Sequence, residues 1–323
     1  MGDEVEARAQ CVCDHLHRPD HPDWKLTDAK VRSTENRTVP GGELRQREAE
    51  IDRKDLVENR EKGACGDVHG GIDNPKSTAW DGIGAAYWNQ GYDGGPSPEE
   101  CDLYLRGVGA GDPVLLVGAS TVRLALATVE RGAVLTVADF SSVQLSQLGQ
   151  LLHCRAEYVL ADVTRSGALA AEAFRVVLAD RLINRFTIPE MAAALGVLSG
   201  TLRAGGELRL SYRLGLYDRD HAVLAEARRR GDLAAVYDEQ TSDIDYGGVR
   251  TWLGTVLPPH GAIPIEVLVQ FYSSRGREHR LRQGELDVLV QQVAASRGLE
   301  LSLVQHRLPN RERDYILRVT RLV

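Results

Sequence analysis

Four short apolar runs of this sequence each end in a residue that could line a ligand site. The runs span 114–117, 134–138, 158–161 and 175–179, and the residues that follow or end them are Gly118, Asp139, Asp162 and Asp180. A glycine lets the backbone approach a ligand closely, and a helix that follows it offers N–H groups to an anionic group. An acidic residue after the second run could accept both hydroxyls of a ribose. The set therefore indicates a site for a ligand that carries a ribose.

The elements that must position these residues are repeated βα units. Apolar runs alternate with helical patterns from about residue 112, which is typical of a mainly parallel sheet. Thr187 to Glu190 has the spacing of a capping box and predicts a helix start, and 207–212 predicts a fifth strand. The runs 299–305 and 314–322 predict a closing antiparallel hairpin. In an α/β fold of this Rossmann-like type, ligands bind beyond the carboxyl ends of the strands, so the four residues should converge on one rim.

Five segments carry a resemblance to a known family. They are VLLVGAS (114–120), VADFS (137–141), LADV (160–163), VVLADRLIN (176–184) and LRAGGELRL (202–210). Together they resemble the class I S-adenosylmethionine-dependent methyltransferases, over roughly 112–212, and the closing hairpin is similar to the reversed last strand typical of that family. The chain departs from the family at the first turn, where Gly118 stands alone in place of a GxGxG pattern.

The resemblance implies S-adenosylmethionine as the cofactor and assigns its contacts. The amino-acid end would be lined by Gly118, Ala119 and Ser120, with Arg123 as a further polar contact. The ribose, the adenine and the methionine portion would lie against Asp139, Phe140, Asp162, Val163, Asp180 and Asn184. Tyr87 and Trp88 belong to a Tyr-Trp segment, AAYWNQGYDGG (85–95), that would fold over the cofactor. Core packing is the alternative role for these two aromatic residues.

The first 76 residues differ in composition from the rest, because every lysine of the chain falls there. Their few aliphatic clusters predict an extension without a core of its own, with one helix at about 43–60, followed by a methyltransferase domain over 77–323. Within the extension, Cys11, Cys13, His15 and His17 are residue types that bind transition metals, and His21, Cys65 and His69 could add to them. Their spacing fits no standard zinc finger, so we expect no metal.

Composition limits the partners. A formal net charge of −7 argues against nucleic acid, and the triplet Arg228 to Arg230 is interpreted as a solvated helix face. No apolar run approaches the ~20 residues that a membrane span needs, and the N-terminus has no apolar signal segment, so we expect a cytoplasmic protein with free cysteines. The sequence leaves open whether the protein forms a homo-oligomer.

The stretch 213–262 interrupts the regular pattern and is predicted to be an insertion on the substrate side, where loops can vary without disturbing the core. Its aromatic content suits a small or medium organic molecule as methyl acceptor, with oxygen, nitrogen or carbon as the acceptor atom. Where the nucleophile needs a base, Tyr246, Asp243 and His260 are candidates, and His260 is preferred because an imidazole titrates near neutrality.

Two other functions remain open from the sequence. The lone glycine is compatible with a catalytically degenerate Rossmann-like domain that serves as a binding or regulatory subunit. The separation of Gly118 and Asp139 also matches the roughly 20 residues between the glycines and the acid of a dinucleotide site, which suggests an NAD(P)-dependent oxidoreductase. The absent second and third glycines and the closing hairpin weigh against that enzyme class.

Overall fold

A computed structural model describes residues 72, 74–88, 95–153, 155–309 and 314–322. The cysteine- and histidine-containing segment and the helix predicted at about 43–60 lie outside these ranges. The first described helix, α1, runs over Pro75–Trp88, so it begins just before the predicted domain start at residue 77.

A seven-stranded sheet forms the centre of the fold. Its strands are β1 Pro113–Val117, β2 Val134–Asp139, β3 Glu157–Leu160, β4 Phe174–Ala179, β5 Leu202–Arg213, β9 Leu301–Arg307 and β10 Asp314–Arg321. They lie in the order β3-β2-β1-β4-β5-β10-β9. The first five are parallel, whereas β10 is antiparallel to both β5 and β9. The predicted Rossmann-like α/β fold and its C-terminal antiparallel hairpin are confirmed.

Helices cover both faces of the sheet. Besides α1, they are α2 Pro98–Tyr104, α3 Val122–Glu130, α4 Ser142–Leu151, α5 Ile188–Thr201 and α10 Glu285–Arg297. Successive side chains of a strand point to opposite faces, and β1 shows the result. Val114 and Leu116 are buried with one helical layer, while Leu115 and Val117 are buried with the other. Such a doubly covered strand reads as a continuous apolar run, which is why the sequence pattern located it.

The start of α5 follows from its sequence and also anchors α1. The Glu190 carboxylate accepts a hydrogen bond from the Thr187 backbone N–H at 2.8 Å, as the capping-box spacing predicts. The same carboxylate lies 2.6 Å from the ammonium group of Lys76, whose side chain is buried. Because removing one partner of a buried ion pair leaves the other charge uncompensated, this pair holds the start of α1 against α5.

Besides the two apolar layers on the faces of the sheet, another apolar cluster lies above the sheet and joins α1 to the inserted region. The inserted elements are α6 Asp218–Arg230, α7 Leu233–Val236, β6 Tyr237–Asp238, β7 Asp243–Ile244, α8 Arg250–Leu253, α9 Ile265–Ser274 and β8 Glu278–His279. Ile83 and Tyr87 of α1 are buried in this cluster together with Trp252 and Phe271. Since β8 pairs with β7, the layer continues beyond residue 262, where the sequence pattern placed its end.

Across the described ranges, no helix combines the length and the apolar character needed to cross a membrane.

Two glycines of α1 provide a matched test of how this helix docks. A β-carbon at Gly84 would lie 2.5 Å from Cγ1 of Val143 on α4, whereas one at Gly82 would meet nothing within 4 Å. Because valine has little freedom at χ1, we expect Gly84→Ala to push α1 off α4 and to lower the free energy of unfolding by about 1–3 kcal/mol. Gly82→Ala should instead raise it by about 0.5–1 kcal/mol through helix propensity.

Urea denaturation of the two variants measures both effects. Equal stability of the Gly84→Ala and Gly82→Ala proteins would contradict this packing.

Candidate functional site

A cavity of about 390 Å³ opens at the carboxyl ends of β1, β2, β4 and β5, below α1 and the inserted layer. Several residues that the sequence analysis selected line it together. They are Tyr87, Gly118, Ser120, Asp139, Phe140, Asp180 and His260. These residues come from five separate parts of the chain, and the fold brings them together around one cavity.

Asp139 is held at the end of β2 by backbone donors. Its Oδ2 accepts a hydrogen bond from the Ala119 N–H at 2.7 Å, and its Oδ1 accepts one from the Ser141 N–H at 2.8 Å. Burial raises the pKa of this carboxyl group to about 6, although the two N–H donors act in the opposite direction. A carboxylate offers about four lone-pair sites, so acceptor capacity remains for a ligand.

Gly118 forms the turn between β1 and α3. Its φ of +104° lies in a region that side-chain-bearing residues rarely adopt, which explains why a glycine stands here. A β-carbon at this position would meet nothing within 4 Å, so the backbone borders open space. The lone glycine thus satisfies the two requirements of the turn, its backbone conformation and close access for a ligand.

Helix α1 covers the rim through side-chain contacts at β2 and β1. The Ser77 hydroxyl donates to the Phe140 carbonyl at 2.8 Å, and the Ser141 hydroxyl donates to the Asp81 carboxylate at 2.5 Å. Nearer its end, the Tyr87 hydroxyl donates to the Ser120 carbonyl at 3.3 Å. Tyr87 therefore both packs in the apolar cluster and borders the cavity.

Asp180 follows β4 and borders the cavity beside Arg181. Its Oδ1 accepts hydrogen bonds from the Tyr104 hydroxyl at 3.1 Å and from the Ser211 hydroxyl at 2.6 Å. Burial raises the pKa of the Asp180 carboxyl group, while the charge of Arg181 opposes that shift. The carboxylate has a fixed orientation because two neighbouring elements donate to it.

Other predicted contact residues do not border the cavity, and their polar groups are engaged by neighbouring loops and helices. The Asn184 amide donates to the Arg213 carbonyl at 2.9 Å and accepts from the Arg213 N–H at 2.8 Å. The Arg123 guanidinium donates to the Pro96 carbonyl at 2.8 Å, and the Trp88 indole donates to Gln144 at 2.7 Å. These side chains stabilise the loops and helices around the rim.

The predicted contact residues after β3 do not border the cavity either. Asp162 accepts hydrogen bonds from the Asn74 amide and from the Thr164 N–H, each at 2.9 Å. Val163 is part of the apolar core, and Ala119 is fully buried and acts through its N–H on Asp139. None of these three residues lines the cavity as the structure describes it.

A group of arginine and aromatic residues that the sequence pattern did not single out also lines the cavity. They are Arg181, Arg185, Arg213, Arg219, Arg275, Phe186, Tyr217, Phe271 and Tyr272. A signal for several of them was present, because Arg181 and Arg185 follow β4 while Tyr217 and Arg219 follow β5, at the same rim that the acidic residues mark. Tyr272 and Arg275 lie in or directly after α9, whose place above the rim depends on the fold of the insertion.

His260 reaches the cavity from the inserted region. Partial burial lowers the pKa of its imidazole, and the charge of Arg219 lowers it further. A lowered pKa keeps the imidazole neutral near pH 7, which is the form that can accept a proton.

Among the residues that the structure describes, no three histidine, cysteine, aspartate or glutamate side chains are close enough together to hold a metal ion.

Comparison with solved structures gives a strong match. A crystal structure from Rhodobacter sphaeroides, described as that of putative Zn-dependent alcohol dehydrogenases, matches with 32% sequence identity and a TM-score of 0.72. The match covers 78% of this chain and 100% of that chain. The sequence matches no protein-family model and no curated protein.

Weaker matches include two methyltransferases. The CcbJ methyltransferase from Streptomyces caelestis is 17% identical with a TM-score of 0.49, and the match covers 77% of this chain and 99% of that one. The 1,6-didemethyltoxoflavin-N1-methyltransferase from Burkholderia thailandensis, crystallised with 1,6-didemethyltoxoflavin and S-adenosylhomocysteine, is 12% identical with a TM-score of 0.46, covering 79% and 93%.

The proximity of His260 to Arg219 gives a test of the site's electrostatics. Because the Arg219 charge disfavours protonation of the imidazole, Arg219→Gln should raise the pKa of His260 toward its usual 6.5. Arg229→Gln is the matched control, since Arg229 lies on the same helix but is exposed and paired with Glu226 at 2.6 Å. An NMR titration of the histidine side chains measures the pKa in all three proteins. A His260 pKa that is identical in wild type and Arg219→Gln would refute this proximity.

Proposed function

We propose that this protein methylates a small organic molecule. The chain belongs to the same family as the Rhodobacter sphaeroides protein, and it has the class I S-adenosylmethionine-dependent methyltransferase fold. The observation that carries the proposal is the cavity at the carboxyl rim, where Gly118, Asp139 and Asp180 meet beneath Tyr87. In sheets of this kind the rim beyond the strand ends is where ligands bind.

The residues of the rim fit S-adenosylmethionine. The open space beside Gly118 admits the cofactor's amino-acid end, with Ser120 next to it. The remaining lone pairs of the Asp139 carboxylate can accept the ribose hydroxyls, and Phe140 offers an apolar surface for the adenine. The Asp180 carboxylate can accept hydrogen bonds from the methionine ammonium group.

The cofactor supplies a methyl group on a sulfonium, and its transfer is an in-line displacement that depends on close, aligned reacting atoms. The task of the protein is therefore to position both ligands and to exclude water. Helix α1 and the inserted layer cover the rim and restrict water access. For an oxygen or carbon nucleophile, His260 in its neutral form accepts the proton that the acceptor loses. An amine that binds unprotonated needs no such base.

A zinc-dependent alcohol dehydrogenase is the second candidate, because the Rhodobacter sphaeroides structure is described in those words. The spacing of Gly118 and Asp139 is compatible with a nicotinamide dinucleotide. The described residues do not group into a metal site, however, and the antiparallel β10 matches the reversed last strand expected of the methyltransferases. A binding or regulatory subunit would keep the cavity without the transfer reaction.

Binding of S-adenosylhomocysteine tests the proposal directly. In calorimetric titrations we expect the wild type to bind it and Asp139→Asn to bind it about tenfold or more weakly, because an asparagine cannot accept from Ala119, Ser141 and two ribose hydroxyls together. Asp102→Asn is the control, since Asp102 is an exposed partner of Arg131 away from the cavity. If the protein binds NAD or NADP but does not bind S-adenosylhomocysteine, the result would favour the dehydrogenase instead.

The raised pKa of Asp139 also predicts a pH dependence of that binding. Ribose hydroxyls donate to the ionised carboxylate, so protonation of Asp139 competes with the ligand. Affinity should be full above neutrality and fall as the pH decreases through about 6. Calorimetry across this range measures it, and an affinity that stays constant from pH 7.5 to pH 5 would argue against a role for the Asp139 carboxylate.

A further inference from the structure

Four guanidinium groups surround the ring of Tyr217, directly after β5. The guanidinium carbons of Arg219, Arg280, Arg213 and Arg185 lie 4.5, 4.9, 5.1 and 5.9 Å from the ring centroid. Cation–π attraction operates within about 6 Å, so the ring helps to hold these like charges together. Three of the four, Arg185, Arg213 and Arg219, line the cavity together with Tyr217.

Nearby carboxylates neutralise only part of this charge. Glu278 lies 3.0 Å from Arg275 and 3.1 Å from Arg280, and Asp220 lies 2.6 Å from Arg280. These two carboxylates are therefore engaged chiefly by Arg275 and Arg280, which leaves Arg213 and Arg219 with weaker partners.

The partners of Arg213 and Arg219 are distant or exposed to solvent. Asp218 lies 3.6 Å from Arg213, but its side chain is 98% exposed, so water screens the pair. Arg219 lies 3.9 Å from Asp220, whose oxygens already accept from Arg280. The cavity thus carries unbalanced positive charge at this end.

Buried N–H groups of the same arginines lack acceptors among the described residues. They are Nε and Nη2 of Arg219, Nε of Arg213 and Nη1 of Arg185. A buried donor without an acceptor is costly, because desolvation is not compensated by a hydrogen bond. Repulsion between the arginine charges also affects Arg275. Burial, together with the charges of Arg185 and Arg219, lowers the pKa of Arg275 to about 10. An oxyanion in the cavity would supply both acceptors and negative charge.

The position of Arg213 and Arg219 along the rim separates them from the ribose contacts of the proposed cofactor site. Asp139 and Phe140 lie at the end of β2, whereas Arg213 and Arg219 lie at and beyond the end of β5, and β1 and β4 lie between these strands. Neighbouring strands are about 4.8 Å apart, so the two ends of the rim are separated by about 14 Å. The ribose contacts fall at one end, and the opposite end is left for a second ligand. Apolar side chains that line the same cavity, Leu268, Phe271 and Pro258, would contact the body of such a ligand.

From this arrangement we propose that the methyl acceptor is an anion, an apolar or aromatic molecule whose carboxylate or phosphate group is bound by Arg213 and Arg219. The assignment of this ligand as the methyl acceptor rests on the proposed methyltransferase function, whereas the oxyanion site rests on the arginine cluster itself. Carboxylate and phosphate each present a pair of oxygen acceptors that a guanidinium can bind in bidentate form.

The experiment compares three probes with a common ring, namely benzoate, phenyl phosphate and the neutral benzamide. Each is titrated into the wild-type protein with and without saturating S-adenosylhomocysteine, and binding is followed by NMR chemical shifts. At least one anion should bind about tenfold or more tightly than benzamide, and the stronger of the two identifies carboxylate or phosphate as the preferred group.

The same titrations on three variants locate the site. Arg213→Gln and Arg219→Gln should each weaken the preferred anion about tenfold, whereas Arg229→Gln, at the exposed end of the same helix, should match the wild type. Benzamide binding as tightly as the anions, or no binding of either anion at millimolar concentration, would overturn the proposal, and neither result depends on the folding of a variant. Equal anion affinity in Arg213→Gln, Arg219→Gln and wild type would overturn it as well.

The arms with and without S-adenosylhomocysteine distinguish the two proposals. If the protein binds the anions selectively but does not bind S-adenosylhomocysteine, the oxyanion site stands and the methyltransferase function fails. If it binds S-adenosylhomocysteine without preferring anions, the inference fails and the proposed function stands.

Discussion

The carboxylate of Asp139, bound between the backbone N–H groups of Ala119 and Ser141, is the interaction on which the rim depends. It ties the turn after β1 to the end of β2 and so fixes the left-handed conformation of Gly118 next to the cavity. Ser141 extends the same connection, because its hydroxyl caps α4 at Gln144 and also donates to Asp81 of α1. Sheet, rim and covering helix are therefore connected through a single buried acid.

The cavity has opposite electrostatic character at its two ends. Asp139 lies at the β2 end, whereas the β5 end carries the arginines around Tyr217. A ribose, whose hydroxyls donate to a carboxylate, suits the first end, and an oxyanion suits the second. The burial that raises the pKa of Asp139 disfavours its charge in the free protein, so hydroxyl donors from a ligand would offset part of that cost.

The sequence pattern located the sheet because its signals are local. β1 is buried on both faces and appears as a continuous apolar run, and the capping box of α5 needs only Thr187 and Glu190. The rim followed from topology, since parallel strands present their carboxyl ends at one edge. Gly118, Asp139 and Asp180, which stand at the ends of β1, β2 and β4, could be predicted as cavity residues from that topology.

Several predicted site residues that do not border the cavity are engaged by partners distant in sequence. Asp162 is engaged by Asn74, which is 88 residues away in sequence, and Asn184 is engaged by the backbone of Arg213. The attachment of α1 through Lys76 and Glu190 spans 114 residues and leaves no periodic trace in the sequence. The fold of the insertion likewise depends on the pairing of β8 with β7, so the arginines and aromatic residues that it helps to bring together could not be foreseen as one cluster.

A crystal structure of the protein grown with saturating S-adenosylhomocysteine tests the central claim most directly. We expect the ligand to lie along the rim, with its ribose hydroxyls within hydrogen-bond distance of the Asp139 carboxylate and its sulfur facing the end of the cavity that holds Arg213 and Arg219. Binding at another surface, or a ribose that makes no contact with Asp139, would contradict it.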